Sequence, residues 1–226
     1  MDLLGSAQQL PGSGPGLSLS QARQMIQQIK SQQMQPGDFG RPDPSTGNLT
    51  PVQASLQLLN VFQMQLIPSP QLSLAQKLSL IAEQRMPLDA FKRQDPSLGG
   101  LTIQQMQSLA QASLAQETST TLSFGQIQEN LAMLALQRMR EDSFKRDDPQ
   151  TGLFTAEMAK QAILQIINRQ IIANALLTQQ QKLSLLQSQL MQKDVFNRYD
   201  PRSGALSVEA FNQYKTQILN TQIVPY

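Results

Sequence analysis

Four times in 226 residues the chain repeats one pattern: Phe, any residue, Arg, any residue, Asp-Pro, two residues, Gly, any residue, an apolar residue, then Thr or Ser. The copies open at Phe39, Phe91, Phe144 and Phe196, so they fall 52, 53 and 52 residues apart. A fixed period near fifty marks one supersecondary unit that cannot bury its apolar face alone and repeats until it can. The pattern therefore constrains the architecture before composition is considered.

Each copy reads as a turn that ends one helix and starts the next. Asp43, Asp95, Asp148 and Asp200 each precede Pro, which disfavours the helical region for the residue before it. Their carboxylates are placed to accept backbone N–H groups two or three residues on. Gly47, Gly99, Gly152 and Gly204 are expected to supply positive φ, so a branched side chain at Gly152 should cost more than one at Gly100, just past the repeat glycine. Thr50, Thr102, Thr155 and Ser207 are N-caps for the outgoing helix, each worth about 1 kcal/mol, and Pro51 suits the first helical position. Leu49, Leu101, Phe154 and Leu206 lie between turn and cap and are expected to point inward. Arg41, Arg93, Arg146 and Arg198 follow each Phe by two. They read either as cations near a helix C-terminus or as partners of the Asp two residues later.

The layout resembles the EF-hand, a helix–loop–helix whose loop carries an apolar position two after its Gly and then a Ser or Thr opening the second helix. The resemblance implies an all-α protein of four helix-loop-helix repeats, paired as two lobes; a helix-hairpin solenoid is the competing arrangement. It departs from a calcium loop at the ligands. Such a loop needs oxygens at positions 1, 3, 5, 7 and 9 and a bidentate Glu at 12, with Gly at 6. Aligned on the Gly, position 12 is Gln53, Gln105, Met158 or Ala210, and position 3 is Pro44, Pro96, Pro149 or Pro201. Loops without calcium are therefore expected, and Asp147 and Asp148 would be the metal ligands if any loop held one.

The remaining segments follow from punctuation. Residues 1–17 carry repeated Gly and Pro and read as a flexible arm. Residues 18–117 hold repeats one and two, 118–121 a linker, 122–220 repeats three and four, and 221–226 a tail. Incoming helices are expected from about Gln21, Leu74, Phe124 and Leu183, the third to Glu141 and the fourth to Lys193. Outgoing helices are expected from Pro51, Ile103, Ala156 and Val208. No Gly or Pro falls between Thr155 and Pro201, so the third outgoing helix is expected to run on towards the fourth incoming one.

Composition narrows the function. Cys and His are both absent, which removes disulfides, Cys/His zinc sites and His-based acid–base chemistry. Net charge is +2 and no basic cluster forms, against phosphate-backbone binding to nucleic acid. No apolar run is long enough for a membrane span, and no signal peptide is read, so an intracellular place, in a cytoskeletal or organellar assembly, is expected. Charged residues make up only 15%, with Gln in their stead, which suits faces covered by neighbours. The expectation is a non-catalytic structural or adaptor subunit docking on other proteins, with no cofactor and no small-molecule substrate. The alternative is a calcium-responsive module taking up a partner helix in a groove lined by its ten Met residues.

Overall fold

The computed structural model describes residues 16–37, 41–89, 91, 93–117, 121–200 and 202–220. Phe39, most of the N-terminal arm and of the linker, and the C-terminal tail lie outside the described residues. Among the described residues the fold is all-α apart from one pair of two-residue strands and isolated bridges. Incoming helices are α1 (Leu19–Ser31), α3 (Leu74–Ala82), α5 (Phe124–Leu136) and α7 (Gln179–Gln187). Outgoing helices are α2 (Pro51–Val61), α4 (Ile103–Glu117), α6 (Ala156–Ile166) and α8 (Val208–Asn220). Two of these continue as π-helix, α2 through Phe62–Leu66 and α6 through Ile167–Ile172.

Capping fixes where these helices start. Thr50, Thr102, Thr155 and Ser207 each accept the amide three residues on, at 3.2–3.3 Å. Ser18, Ser73, Ser123 and Thr178 open the incoming helices with reciprocal boxes to Gln21, Gln76, Gln126 and Gln181. Thr178 corrects the expectation of a helix running on from repeat three. The chain leaves the helix after Ile172 and restarts at Gln179. Its cue is the box Thr178-x-x-Gln181, which needs neither Gly nor Pro. The third and fourth incoming helices also stop early, at Leu136 and Gln187, because the residues that follow are drawn into the loop.

Within each repeat the incoming and outgoing helices pack on one another, and α3 also packs on α5. A single apolar cluster runs from Ala22 to Ile218. Leu101, Phe154 and Leu206 are buried in it and Leu49 packs against it. The bridges at these four residues join the two ends of one repeat, in parallel: Gln33 to Leu49, Arg85 to Leu101, Arg138 to Phe154, Leu190 to Leu206. EF-hand loops would bridge to a neighbouring loop instead.

The glycines serve that return of the chain. Gln32, Gln137 and Gln189, at the ends of their helices, each present a carbonyl that accepts two successive amides, Asn48 and Leu49, Leu153 and Phe154, Ala205 and Leu206, at 2.7–3.0 Å. A Cβ on Gly47, Gly152 or Gly204 would lie 2.5–2.6 Å from that same oxygen. Close approach, not the expected positive φ, demands glycine there. Among the described glycines positive φ occurs in the second loop alone, at Gly99 (70°) and Gly100 (95°). A Cβ on Gly100 would also meet the Gln84 oxygen at 2.9 Å, so this position is as demanding as its neighbour.

The loops contact one another in chain order. Gln33 Nε2 donates to Leu98 O at 3.0 Å, Arg85 Nη2 to Gly152 O at 3.0 Å, and Arg202 Nη1 to Met139 O at 3.3 Å. Odd and even repeats differ, and the differences recur 105 residues on. α1 and α5 have 13 residues against 9 for α3 and α7, and both π segments follow odd repeats. Ser69 Oγ donates to Leu17 O as Asn174 Nδ2 does to Leu122 O.

Substitution of glycine should separate close approach from open surface. Gly152→Ala is expected to destabilise by about 2 kcal/mol or more, because backbone must move. Gly125→Ala, whose Cβ would meet nothing within 4 Å, should be neutral or stabilising by up to about 1 kcal/mol. Denaturant melts of the two variants check this; equal losses would refute the close-approach account.

Candidate docking site

The second, third and fourth loops each project a hairpin whose tip carries the repeated Phe. The tip is organised by an Asp two residues before that Phe, at Asp89, Asp142 and Asp194. Its Oδ1 accepts the Phe amide at 2.8–2.9 Å and the Arg amide at 2.8–2.9 Å. Its Oδ2 accepts the Arg Nε at 2.9–3.1 Å, and the Arg Nη2 lies 2.8–3.0 Å away. The Asp amide donates back to the Arg carbonyl at 2.7–2.8 Å, closing the turn. The Arg amide first, then the guanidinium and the Phe amide, hold the three carboxyls below their ordinary value.

This corrects the pairing expected from the sequence. Arg93, Arg146 and Arg198 bind the Asp four residues earlier, not Asp95, Asp148 or Asp200. In the first copy Gly37 stands at the corresponding position, and the Gly37 amide donates to Arg41 O at 2.7 Å. The missed signal was legible: extending the repeat two residues leftwards gives Asp in three copies. Between Phe and Arg the chain turns at Lys145 (φ 58°) and Asn197 (φ 61°), a left-handed residue that costs roughly 1–2 kcal/mol. The turn lays the guanidinium over the ring, 5.2, 5.1 and 5.1 Å from the centroids of Phe91, Phe144 and Phe196. Those rings remain 78%, 75% and 73% exposed.

Asp43, Asp95, Asp148 and Asp200 have the turn role the sequence gives them. Each accepts the amide two residues on, at 2.8–2.9 Å. For Asp43 the Ser45 hydroxyl, then the Ser45 amide, lowers the carboxyl pKa. Thr46, Thr151 and Ser203 tie the hairpin to the turn, accepting the amides of Gln35, Arg140 and Gln192 at 2.6–2.7 Å. In the second loop Pro87 has no amide to donate, and Leu98 replaces the hydroxyl residue.

The residues nearest to a calcium site are otherwise engaged. Asp147 Oδ1 accepts from Arg202 Nη2 at 2.9 Å, and Arg202 Nε reaches Glu141 at 2.9 Å. Asp148 binds the Gln150 amide. Gln53 and Gln105, at the bidentate position, close capping boxes on the Thr50 and Thr102 amides, both at 2.9 Å. Among the described residues no three acidic side chains gather as a metal would require.

Away from the hairpins, a cleft of about 410 Å³ lies between α4 and α6. Leu114, Phe154 and Ala162 form a buried floor, Ala115 and Met158 the walls, and Gln111, Gln161 and Gln165 the rim. Among the described residues no helix is long and apolar enough to cross a membrane.

The tips should respond to acid in a defined direction. Since the folded pKa values of Asp89, Asp142 and Asp194 lie below the ordinary 3.8, their stabilisation is complete above that pH. It is lost as pH falls below it, through the folded values. The Phe144 and Arg146 amide resonances should titrate with a midpoint below 3.8, and Asp142→Asn should abolish that titration; a midpoint above the ordinary value would refute the tip geometry. Compared with protein-family models, curated proteins and solved structures, the chain matches none.

Proposed function

We propose that the protein is a non-catalytic adaptor or scaffold subunit whose helical repeats dock on other proteins of a larger assembly. The observation that carries this reading is the α4–α6 cleft, an apolar trough with a closed floor and an amide-rich rim. A partner helix with an apolar stripe and polar flanks fits such a trough, in the helix-in-groove manner. Gln111, Gln161 and Gln165 offer hydrogen bonds to either polarity at the rim, and Glu157 alone brings charge to the lining. The carboxylates described above are committed to caps, turns and ion pairs, which supports a binding role over a chemical one.

Purified under native conditions from its source, the protein should migrate far above the mass of one chain. Ala115→Arg, at an exposed wall of the cleft, should release it towards the free chain while leaving its melting temperature within about 2 °C. A wild-type protein that migrates as a single chain would sink the proposal. Calcium tests the sensor alternative. With Asp147 and Asp148 engaged, melting curves in millimolar calcium and in chelator should superimpose, since a ligand far below its Kd adds no stability. A rise of several degrees would replace the adaptor with a calcium-responsive module.

A further inference from the structure

The hairpin edge has a property that the adaptor reading does not use. Phe91, Phe144 and Phe196 stand out from the helices on tips whose Phe and Arg amides and guanidinium are satisfied from within. The Asp takes the Phe and Arg amides, the Arg carbonyl takes the Asp amide, and the guanidinium is paired with the same Asp and covered on one side by the ring. Such a tip can approach an apolar layer without stranding the Phe and Arg amides or the guanidinium, which lowers the main cost of placing a turn there. The loops that carry the tips touch in chain order, so the wedges share one edge of the molecule.

We propose that this edge rests on a lipid bilayer, with the Phe rings wedged at the level of the headgroups. Two observations favour a bilayer over a protein pocket. The residues beside each ring vary freely, Ala90, Ser143 and Val195 before it and Lys92, Lys145 and Asn197 after it, whereas Phe, Arg and the organising Asp stay. A fitted pocket would select these neighbours; a fluid interface selects only the wedge. The fourth tip also adds Val195 at 94% exposure and Tyr199 at 45%, the latter under Lys193 with Nζ 5.4 Å from its ring centroid. An amphipathic aromatic beside a cation is the side-chain set that settles at membrane interfaces. Lys145 and Lys193 leave the third and fourth tips with cations beyond the Asp–Arg pairs, which favours anionic lipid. These tips share no residue with the α4–α6 cleft.

The test uses the full chain and vesicles of phosphatidylcholine, with and without phosphatidylserine. Because the protein has no Trp, Phe196→Trp gives a single reporter at the most apolar tip. Its emission should shift to the blue on vesicles and become protected from an aqueous quencher. Phe196→Ala should lower the partition coefficient about tenfold and the triple Phe91, Phe144, Phe196→Ala variant should fail to sediment, both with unchanged melting since the rings are exposed. Ala115→Arg should bind vesicles like the wild type, which separates this result from the adaptor reading. Emission that stays red at saturating lipid, or a triple variant that sediments like the wild type, would overturn the proposal.

Discussion

A single carbonyl governs each repeat. Where an incoming helix ends, the oxygens of Gln32, Gln137 and Gln189 each catch two amides of the chain as it comes back from the hairpin, and Gln84 catches that of Leu101. Helix ends leave such oxygens orphaned, and here the returning strand satisfies them. The capture sets the parallel bridge, places the apolar anchor over the core and aims the next N-cap. It also leaves no room for a Cβ at the glycine that passes closest. Loop, core and outgoing helix all inherit their positions from this contact.

The second loop shows how far the contact tolerates change. It lacks the hydroxyl that ties the other three hairpins to their turns, and its counterpart Pro87 lacks the amide that would need it. A 3-10 turn over Pro96–Leu98 and two glycines at positive φ bring the chain back by another route. Leu101 still reaches the Gln84 oxygen at 2.7 Å. Paired loss of this donor and this acceptor strands neither of them.

Much of this was legible in the sequence because it rests on local chemistry. The period is read by direct comparison of the copies, and the all-α class, the outgoing N-caps and the Asx turns follow from residues within three or four positions of each other. The hairpin tips were not read, since Asp142 acts on Arg146 only once Lys145 has turned left-handed, a conformation that lysine rarely signals. The restart at Thr178 was missed for a different reason: its capping box lies in a stretch of Gln whose pattern looks helical throughout. The glycine contacts depend on the far end of the incoming helix, fifteen residues away for Gln137 and Gly152, and no propensity reports them. The α4–α6 cleft is a gap between two helices of different repeats, which periodicity within either helix does not encode.

One position shows how the loops are tied to one another. The residue that opens each parallel bridge is Gln33, then Arg85, Arg138 and Leu190. Gln33 and Arg85 reach forward to the next loop, and the third junction is instead clasped from ahead by Arg202. The ties thus run in both directions along the edge, and none of them is part of the carbonyl capture that shapes a single loop. Replacing one of these long side chains would slacken one hinge between rungs and leave every rung intact.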